Sequence, residues 1–445
     1  MDRRRFLVLL LGIAALALAG RATWIMVETR HQQSGTFANA GSARRSADEL
    51  YYEGLAQRLA DGDGFKTPPL LGDPDDENAD HPPLTVLFLA PVAFVTDGSS
   101  LAMRFAIACT GVATVVLSGL LGRAVAGERV GLVAAALAAV YPALWANDTL
   151  VMSEALASAT TAAVLLATYL LWRTPGVPTA LLLGAAAGVA MLSRSEVALL
   201  LPLVVVPMAW LGGRRRGRHG LTLALVSTAA AAGMVAPWVL FNMARFERPV
   251  LLSHGDGAVL AGANCDRTYH GHLIGAWDGF CITLERQVEP SVDAEENRRS
   301  AFRYIEDHWR RVPEVVGVRV ARIWGFWRPA QLAEDDEAEG KPAWTTVGII
   351  GSGWVLLALA VPATMWCRRH RVPVLPLLAP LALVTVVAAV FYGQLRFRAP
   401  AEPALVVLGA VALGAVLPEW LSARRTATPA VATRVRRSDP APTPH

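Results

Sequence analysis

Long apolar runs, broken by short polar turns, set the pattern of the chain. A first run, about Phe6 to Val27, follows the charged head "MDRRR". Runs of spanning length, roughly twenty residues, recur at about 100–123, 130–147, 150–173, 178–193, 195–211, 220–242, 344–366, 373–391 and 403–421. The pattern predicts an all-α polytopic membrane protein with about ten transmembrane helices. The head has the layout of a signal peptide, but more spans follow it, so the first run is read as an uncleaved helix. One further apolar piece, "PPLTVLFLAPVAFV" from Pro82, is short and carries three prolines.

Composition strengthens this picture. A hydrophobic share of 53% with 18% charged residues and a mean hydropathy of +0.38 exclude an ordinary soluble domain of this length. The net charge of +4 is small, and the basic residues cluster in short runs: Arg3 to Arg5, Arg214 to Arg216 with Arg218, Arg368-Arg369 and Arg424-Arg425. Such runs mark cytoplasmic ends of spans, so they speak for topology and against nucleic acid. No CxxC, HExxH, P-loop or strand-linked GxGxxG is present, which leaves soluble redox, zinc-protease and nucleotide-binding readings unsupported.

Whether the Pro82 piece crosses decides the side of every later loop. If it does not cross, Arg123, Arg129, Arg173 and the later arginine clusters all join Arg3 to Arg5 in the cytoplasm; if it does, they all fall outside. Residues 82–96 are therefore expected to form a re-entrant or interfacial helix on the outer side, the alternative being a span missed or added elsewhere. The resulting organisation is a transmembrane module over 1–242 with a first outer loop at 28–99, a large extracytoplasmic loop at 243–343, C-terminal transmembrane helices at 344–421 and a disordered cytoplasmic tail at 422–445.

This parity gathers the unusual polar residues on the outer side: Asp48, Glu49 and His81; Asn147, Asp148 and Glu154; Arg194 and Glu196; Asn242 and Arg245; Arg396 and Arg398. Ionisable groups near spans are expensive and usually mark function. Asp48 heads "SADELYYEGLAQRLA", where Ser46 can cap a helix and Leu50, Leu55 and Leu59 give it an apolar side suited to the membrane surface. It suits a general base; the other reading is that Asp48 and Glu49 only complement the helix dipole. Arg396 and Arg398 could grip a phosphate at headgroup level or simply snorkel there. His81 could hydrogen-bond the phosphate or begin the helix after it. Glu154 could position an acceptor, bind a divalent cation with Asp48, or face a water-filled crevice. Arg194 and Glu196 could form a local ion pair. His270 and His272 have no evident third ligand, and whether any metal binds stays open. Cys265 and Cys281 can close a disulfide worth about 3 kcal/mol if their segment is outside, or remain two thiols.

Taken in order, "DELYYEGLAQRLADGDGF" followed by "HPPL", "NDTLVMSEAL", "APWVLFNMARFERPVLLS" and "YGQLRFRAPAEPAL" resemble the GT-C fold glycosyltransferases. The likeness is to the bacterial branch related to dolichyl-phosphate-mannose protein mannosyltransferases and to the aminoarabinose transferase that modifies lipid A. The resemblance covers most of residues 1–421. It implies that Asp48, with Glu49 beside it, is the catalytic base, that Glu154 is the second acidic position with Asp148 a neighbouring candidate, and that His81, Arg396 and Arg398 bind the donor phosphate. The chain departs from that pattern in having only about three spans after its large loop and in carrying the Cys265 to Cys281 segment.

The expected function is inverting transfer of a sugar from a polyprenyl-phosphate donor to a glycan, lipid or protein acceptor, on the outer face of the cytoplasmic membrane. The sequence assigns no definite cofactor; a divalent cation is one candidate, and the polyprenyl-phosphate sugar enters as donor substrate. A transporter or flippase of lipid-linked saccharide is the alternative; inverted repeats and mid-membrane polar residues, which it would need, are not clearly present. A purely structural membrane protein would leave the aligned outer carboxylates and arginines unexplained.

Overall fold

The computed structural model describes residues 2–34, 46–217, 219–282 and 289–421; the expected disordered tail, Arg218 and the Arg424-Arg425 cluster lie outside the described residues. The chain opens with α1 (Arg3–Ser34), α2 (Ala47–Asp61), α3 (Leu84–Thr96) and α4 (Ser100–Ala126). Next come α5 (Glu128–Val140) and the short α6 (Pro142–Trp145), which runs on to Thr149 at 66° to α5. The break falls at Tyr141, whose backbone is extended, because a residue before proline is held out of the helical region. Then follow α7 (Glu154–Arg173), α8 (Val177–Ser193), α9 (Val206–Arg215) and α10 (Gly220–Arg245). A segment outside the bundle holds α11 (Asp256–Ala263), α12 (Asp266–Tyr269), α13 (Pro290–Asp307), α14 (Val312–Ile323) and α15 (Pro329–Ala338). The chain returns through α16 (Ala343–Arg369), α17 (Leu375–Val390) and α18 (Glu402–Val411).

Among the described residues, seven helices are long and apolar enough to cross a membrane, or eight if the bent pair at Tyr141 is one span. The expected count of about ten also needed α8 and α17, which have 17 and 16 residues. At 1.5 Å per residue these reach about 25 Å, short of a hydrocarbon core of about 30 Å. By length and composition, then, the count of ten is not reached. The Pro82 piece becomes α3, 13 residues long and about 20 Å. It packs Val86, Leu89 and Ala93 inward while Phe94 and Val95 are exposed.

The bundle has two chemically distinct ends. At one, Arg123 lies over the ring of Phe6, Arg173 donates to the carbonyl of Ala124, Arg215 lies over Trp172, and the Tyr169 hydroxyl donates to the carbonyl of Pro373 at 2.6 Å. Three of the arginines used for the parity argument, Arg123, Arg173 and Arg215, thus lie at this end. The opposite end carries the carboxylates and arginines described below. Between the ends the core is close-packed, with every residue of α18 from Glu402 to Val411 buried. Where α4 crosses α5, a Cβ at Gly131 would come within 2.6 Å of the Gly119 carbonyl oxygen; the glycines allow that contact, as small residues do at helix interfaces in lipid.

Two local arrangements differ from expectation. First, α2 does not present its apolar side to the membrane surface: Tyr51, Tyr52, Leu55 and Ala56 are buried against Val86 and Leu89 of α3 and Met103 and Ile107 of α4. Protein contacts hide more apolar area than a one-sided lipid contact would, and they fix where the helix begins. Second, Asp148, expected at an outer turn as a neighbouring candidate for the second acidic position, is drawn into the bundle. It is fully buried and paired with Arg21, which projects from the first span.

Candidate active site

Ser46 caps α2 by accepting the amide of Glu49 at 3.1 Å, and Gly62, at φ 91° in the left-handed region, ends the helix. These two caps and the buried tyrosines fix the direction of the first turn, where Asp48 and Glu49 point apart. Glu49 turns inward: 1% exposed, it pairs with Arg104 of α4 at 3.1 Å and lies 3.5 Å from the amide of Val151. The structure therefore gives Glu49 a tethering contact and does not bring it beside Asp48 in the cleft. Asp48 faces the cleft. Its Oδ2 accepts from Nη1 of Arg396, 348 residues on, and its Oδ1 is 3.5 Å from Nε2 of His81.

His81 is held by aromatic contacts, stacked on Tyr52 at 5.3 Å and edge-on to Tyr51 at 4.9 Å between ring centroids. Its loop is anchored from behind: His254 donates from Nδ1 toward Asp80 at 3.2 Å and accepts the amide of Ala79 on Nε2 at 3.1 Å. Arg245, named as a candidate on the outer side, holds the same loop through Glu77 at 2.7 Å and the carbonyls of Phe65 and Asn78 at 3.0 and 2.8 Å. It acts there as a clamp.

Arg396 is the hub. Besides Asp48, its guanidinium reaches Glu154 Oε1 at 3.7 Å, Glu339 Oε1 at 3.7 Å and, through Nε, Gln394 at 3.1 Å. Glu154, 3% exposed at the head of α7, is also 3.4 Å from Arg194. Arg194 in turn binds Glu196 and rests over the Phe397 ring at 5.1 Å. So Asp48, His81, Glu154, Arg194, Glu196 and Arg396, predicted from separate loops, come together at one end of the bundle. Between Asp48 and Glu154, where the sequence left room for a divalent cation, stands the guanidinium of Arg396. Among the described residues no group of three or more His, Cys, Asp or Glu side chains is arranged to hold a metal ion.

The electrostatics follow from crowding. Burial by itself would raise the Asp48 carboxyl, but the Arg396 guanidinium and His81 hold it well below the usual carboxylate range. Burial opposes the charge on Arg396, yet Glu339 and Asp48 keep it above the usual guanidinium value. Asp48 is thus ionised, and the cation that holds it so is shared with two other carboxylates.

Arg398, expected to bind phosphate beside Arg396, is elsewhere. It is fully buried, 2.9 Å from Glu402 Oε1, and donates to the Tyr141 hydroxyl at 2.8 Å, which itself donates to Glu402 Oε2 at 2.8 Å. The turn Leu395–Arg398 is 3-10, so residues two apart emerge on different sides. Sequence reading missed Glu339, Lys341 and Gln394. A usable signal existed for Lys341: only two of the 41 basic residues are lysines, and this one is 2% exposed beside the hub. Cys265 and Cys281 are joined by a disulfide, with Cα atoms 6.2 Å apart.

Residues 80–246 match the family model of dolichyl-phosphate-mannose-protein mannosyltransferases, which is less than half of the chain. No curated protein matches it in sequence. The fold matches the oligosaccharyltransferase of Archaeoglobus fulgidus solved with zinc and sulfate, at 14% identity and a TM-score of 0.55, over 92% of this chain and 49% of that one. It also matches the archaeal oligosaccharyltransferase AglB of the same organism solved with an inhibitory peptide and a dolichol-phosphate, at 14% identity and a TM-score of 0.53, over 94% and 51%. The chain spans about half the length of these neighbours. ArnT from Cupriavidus metallidurans, solved with undecaprenyl phosphate, superposes more loosely, at 14% identity and a TM-score of 0.43, over 93% and 78%. The fold is that of the GT-C glycosyltransferases, in keeping with the resemblance read from the sequence motifs.

Proposed function

We propose that the protein transfers a sugar from a polyprenyl-phosphate donor to an acceptor hydroxyl, with inversion, on the extracytoplasmic face of the cytoplasmic membrane. The observation that carries this reading is the contact of Asp48 with Arg396: a base and a phosphate-binding cation, from opposite ends of the chain, in one partly open cleft. The arginine-rich opposite end supports the orientation, since such ends face the cytoplasm. That an oligosaccharyltransferase of the same fold was solved with dolichol-phosphate supports the donor class.

In the reaction, the acceptor oxygen attacks the anomeric carbon from the face opposite the phosphate. A carbon–oxygen bond to the acceptor forms as the bond to the phosphate breaks, and the electron pair leaves with the phosphate. Asp48 takes the hydroxyl proton. Arg396, with His81 beside the same carboxylate, meets the growing negative charge. A polyprenyl phosphate is a stable leaving group, so no protein acid is needed. Because Arg396 cannot serve the phosphate fully while it holds Asp48, donor binding draws the guanidinium toward the phosphate and leaves the carboxylate more basic. The base is thus switched on by the donor.

The test is turnover of a panel of polyprenyl-phosphate sugars by purified protein in lipid, with Asp48→Asn alongside. Wild-type turnover, and a loss of about 10²–10⁴-fold in the variant, are expected. Equal turnover by both would remove Asp48 from the role of base; donor binding without turnover, with movement of the saccharide across the bilayer, would favour the transporter.

A further inference from the structure

Glu339 follows α15 and stands between two cations. Its Oε1 accepts from Gln394 Nε2 at 2.6 Å and lies 3.7 Å from Arg396, while its Oε2 is 3.3 Å from the ammonium of Lys341 and is buried without a hydrogen bond. Lys341 is anchored from its far side by Asp336 at 2.8 Å, whose other oxygen accepts from the Thr346 hydroxyl at 2.6 Å. A cavity of about 10 Å³ is lined by both Lys341 and Arg396, about the volume of one water.

Three carboxylates therefore share one guanidinium, and a phosphate can bind it only by displacing some of them. Glu154 has Arg194 to fall back on, at 3.4 Å, and Glu339 has Lys341. We propose that Glu339 and Lys341 are a positioning pair that sets how firmly Arg396 is held, and so how tightly the donor phosphate binds. Lys341 draws Glu339 away from Arg396; without that pull, Glu339 competes with the phosphate. The inference rests on the polyprenyl-phosphate reading above and adds residues that touch neither sugar nor phosphate.

The experiment measures binding of undecaprenyl phosphate to the full chain in lipid nanodiscs, and donor KM and kcat where turnover occurs, for wild type, Lys341→Met, Glu339→Gln and the double variant. Lys341→Met is expected to weaken phosphate binding and raise donor KM about tenfold, with saturated kcat within about threefold. Glu339→Gln is expected to tighten binding by about threefold. The double variant returns KM to within about threefold of wild type, because the carboxylate that Lys341 restrains is gone. Should Lys341→Met not fold, Glu339→Gln alone decides: unchanged or weaker binding overturns the proposal. So does a double variant as impaired as Lys341→Met, or a loss in kcat at constant KM; either would make Lys341 a structural tie to Asp336. A wild type that binds the phosphate without turnover sinks the enzyme reading and leaves the positioning test running on binding; one that binds no polyprenyl phosphate overturns both.

Discussion

Arg396 and Arg398 stand two residues apart on one 3-10 turn and live in opposite surroundings. Arg398 shares a sealed triangle with Glu402 and Tyr141, one carboxylate for one guanidinium, and has no exposed surface. Arg396 is claimed by Asp48, Glu154 and Glu339 together and keeps an 11% exposed edge on the cleft. A closed pair contributes little net stability, but removing one partner strands the other. An oversubscribed cation has contacts it can exchange. The difference separates a group that holds the fold from one available to a ligand, although the two are the same residue in nearly the same place.

That contrast can be broken in three ways. The largest effect is expected from Arg398→Met, which leaves the Glu402 carboxylate in the core with the Tyr141 hydroxyl but without its cation and destabilises by about 3–5 kcal/mol. Thermal unfolding in detergent reads it, and the activity of the folded fraction should stay near normal. Arg396→Gln should reverse the pattern: donor kcat/KM falls by about 10²–10³-fold while the melting temperature changes little. If Arg396→Gln melts early with normal kinetics in the folded fraction, the two arginines have been assigned the wrong way round.

The smallest effect sharpens the electrostatic side. Asp48 is held low by Arg396 and His81, so in the free enzyme it stays ionised well into the acid range, and the acid limb of kcat/KM should lie below the ordinary carboxylate pKa of about 4. Removing a group that lowers a pKa lets it rise. His81→Asn should therefore shift the limb to higher pH, and an unmoved limb would detach His81 from Asp48. For stability the sign is the same: the depressed carboxyl contributes above its unfolded pKa, and that contribution fades as pH falls through the folded value.

Much of the fold was legible because apolar run length is a property of consecutive residues. The two-ended distribution of charge was legible for a related reason, since arginines flanking spans report side. The count of ten was less legible, because α8 and α17 are apolar by composition but stop short, at Arg194 and Phe391, where the chain bends into the site. At the site, Asp48, His81, Glu154, Arg194, Glu196 and Arg396 could be named from their loops. Glu49 and Arg398 could not be told from their neighbours: what sets them apart is Arg104 in one case and Tyr141, 257 residues away, in the other. Glu339 and Lys341 were hidden in an acidic stretch that looks like a solvated linker until α15 and α16 fold it under Arg396.

The buried pair of Arg21 and Asp148 bears on how the molecule is made. Synthesis delivers Arg21 first, and its partner follows 127 residues later. Until then the first span carries an uncompensated charge that costs on the order of 2–3 kcal/mol in lipid. α1 is therefore expected to linger at the insertion machinery or sit shallow in the bilayer, and to settle only when the bend after α5 brings the carboxylate in. The ion pair acts as a latch on assembly, closing the front of the bundle once the helices that support the site are in place.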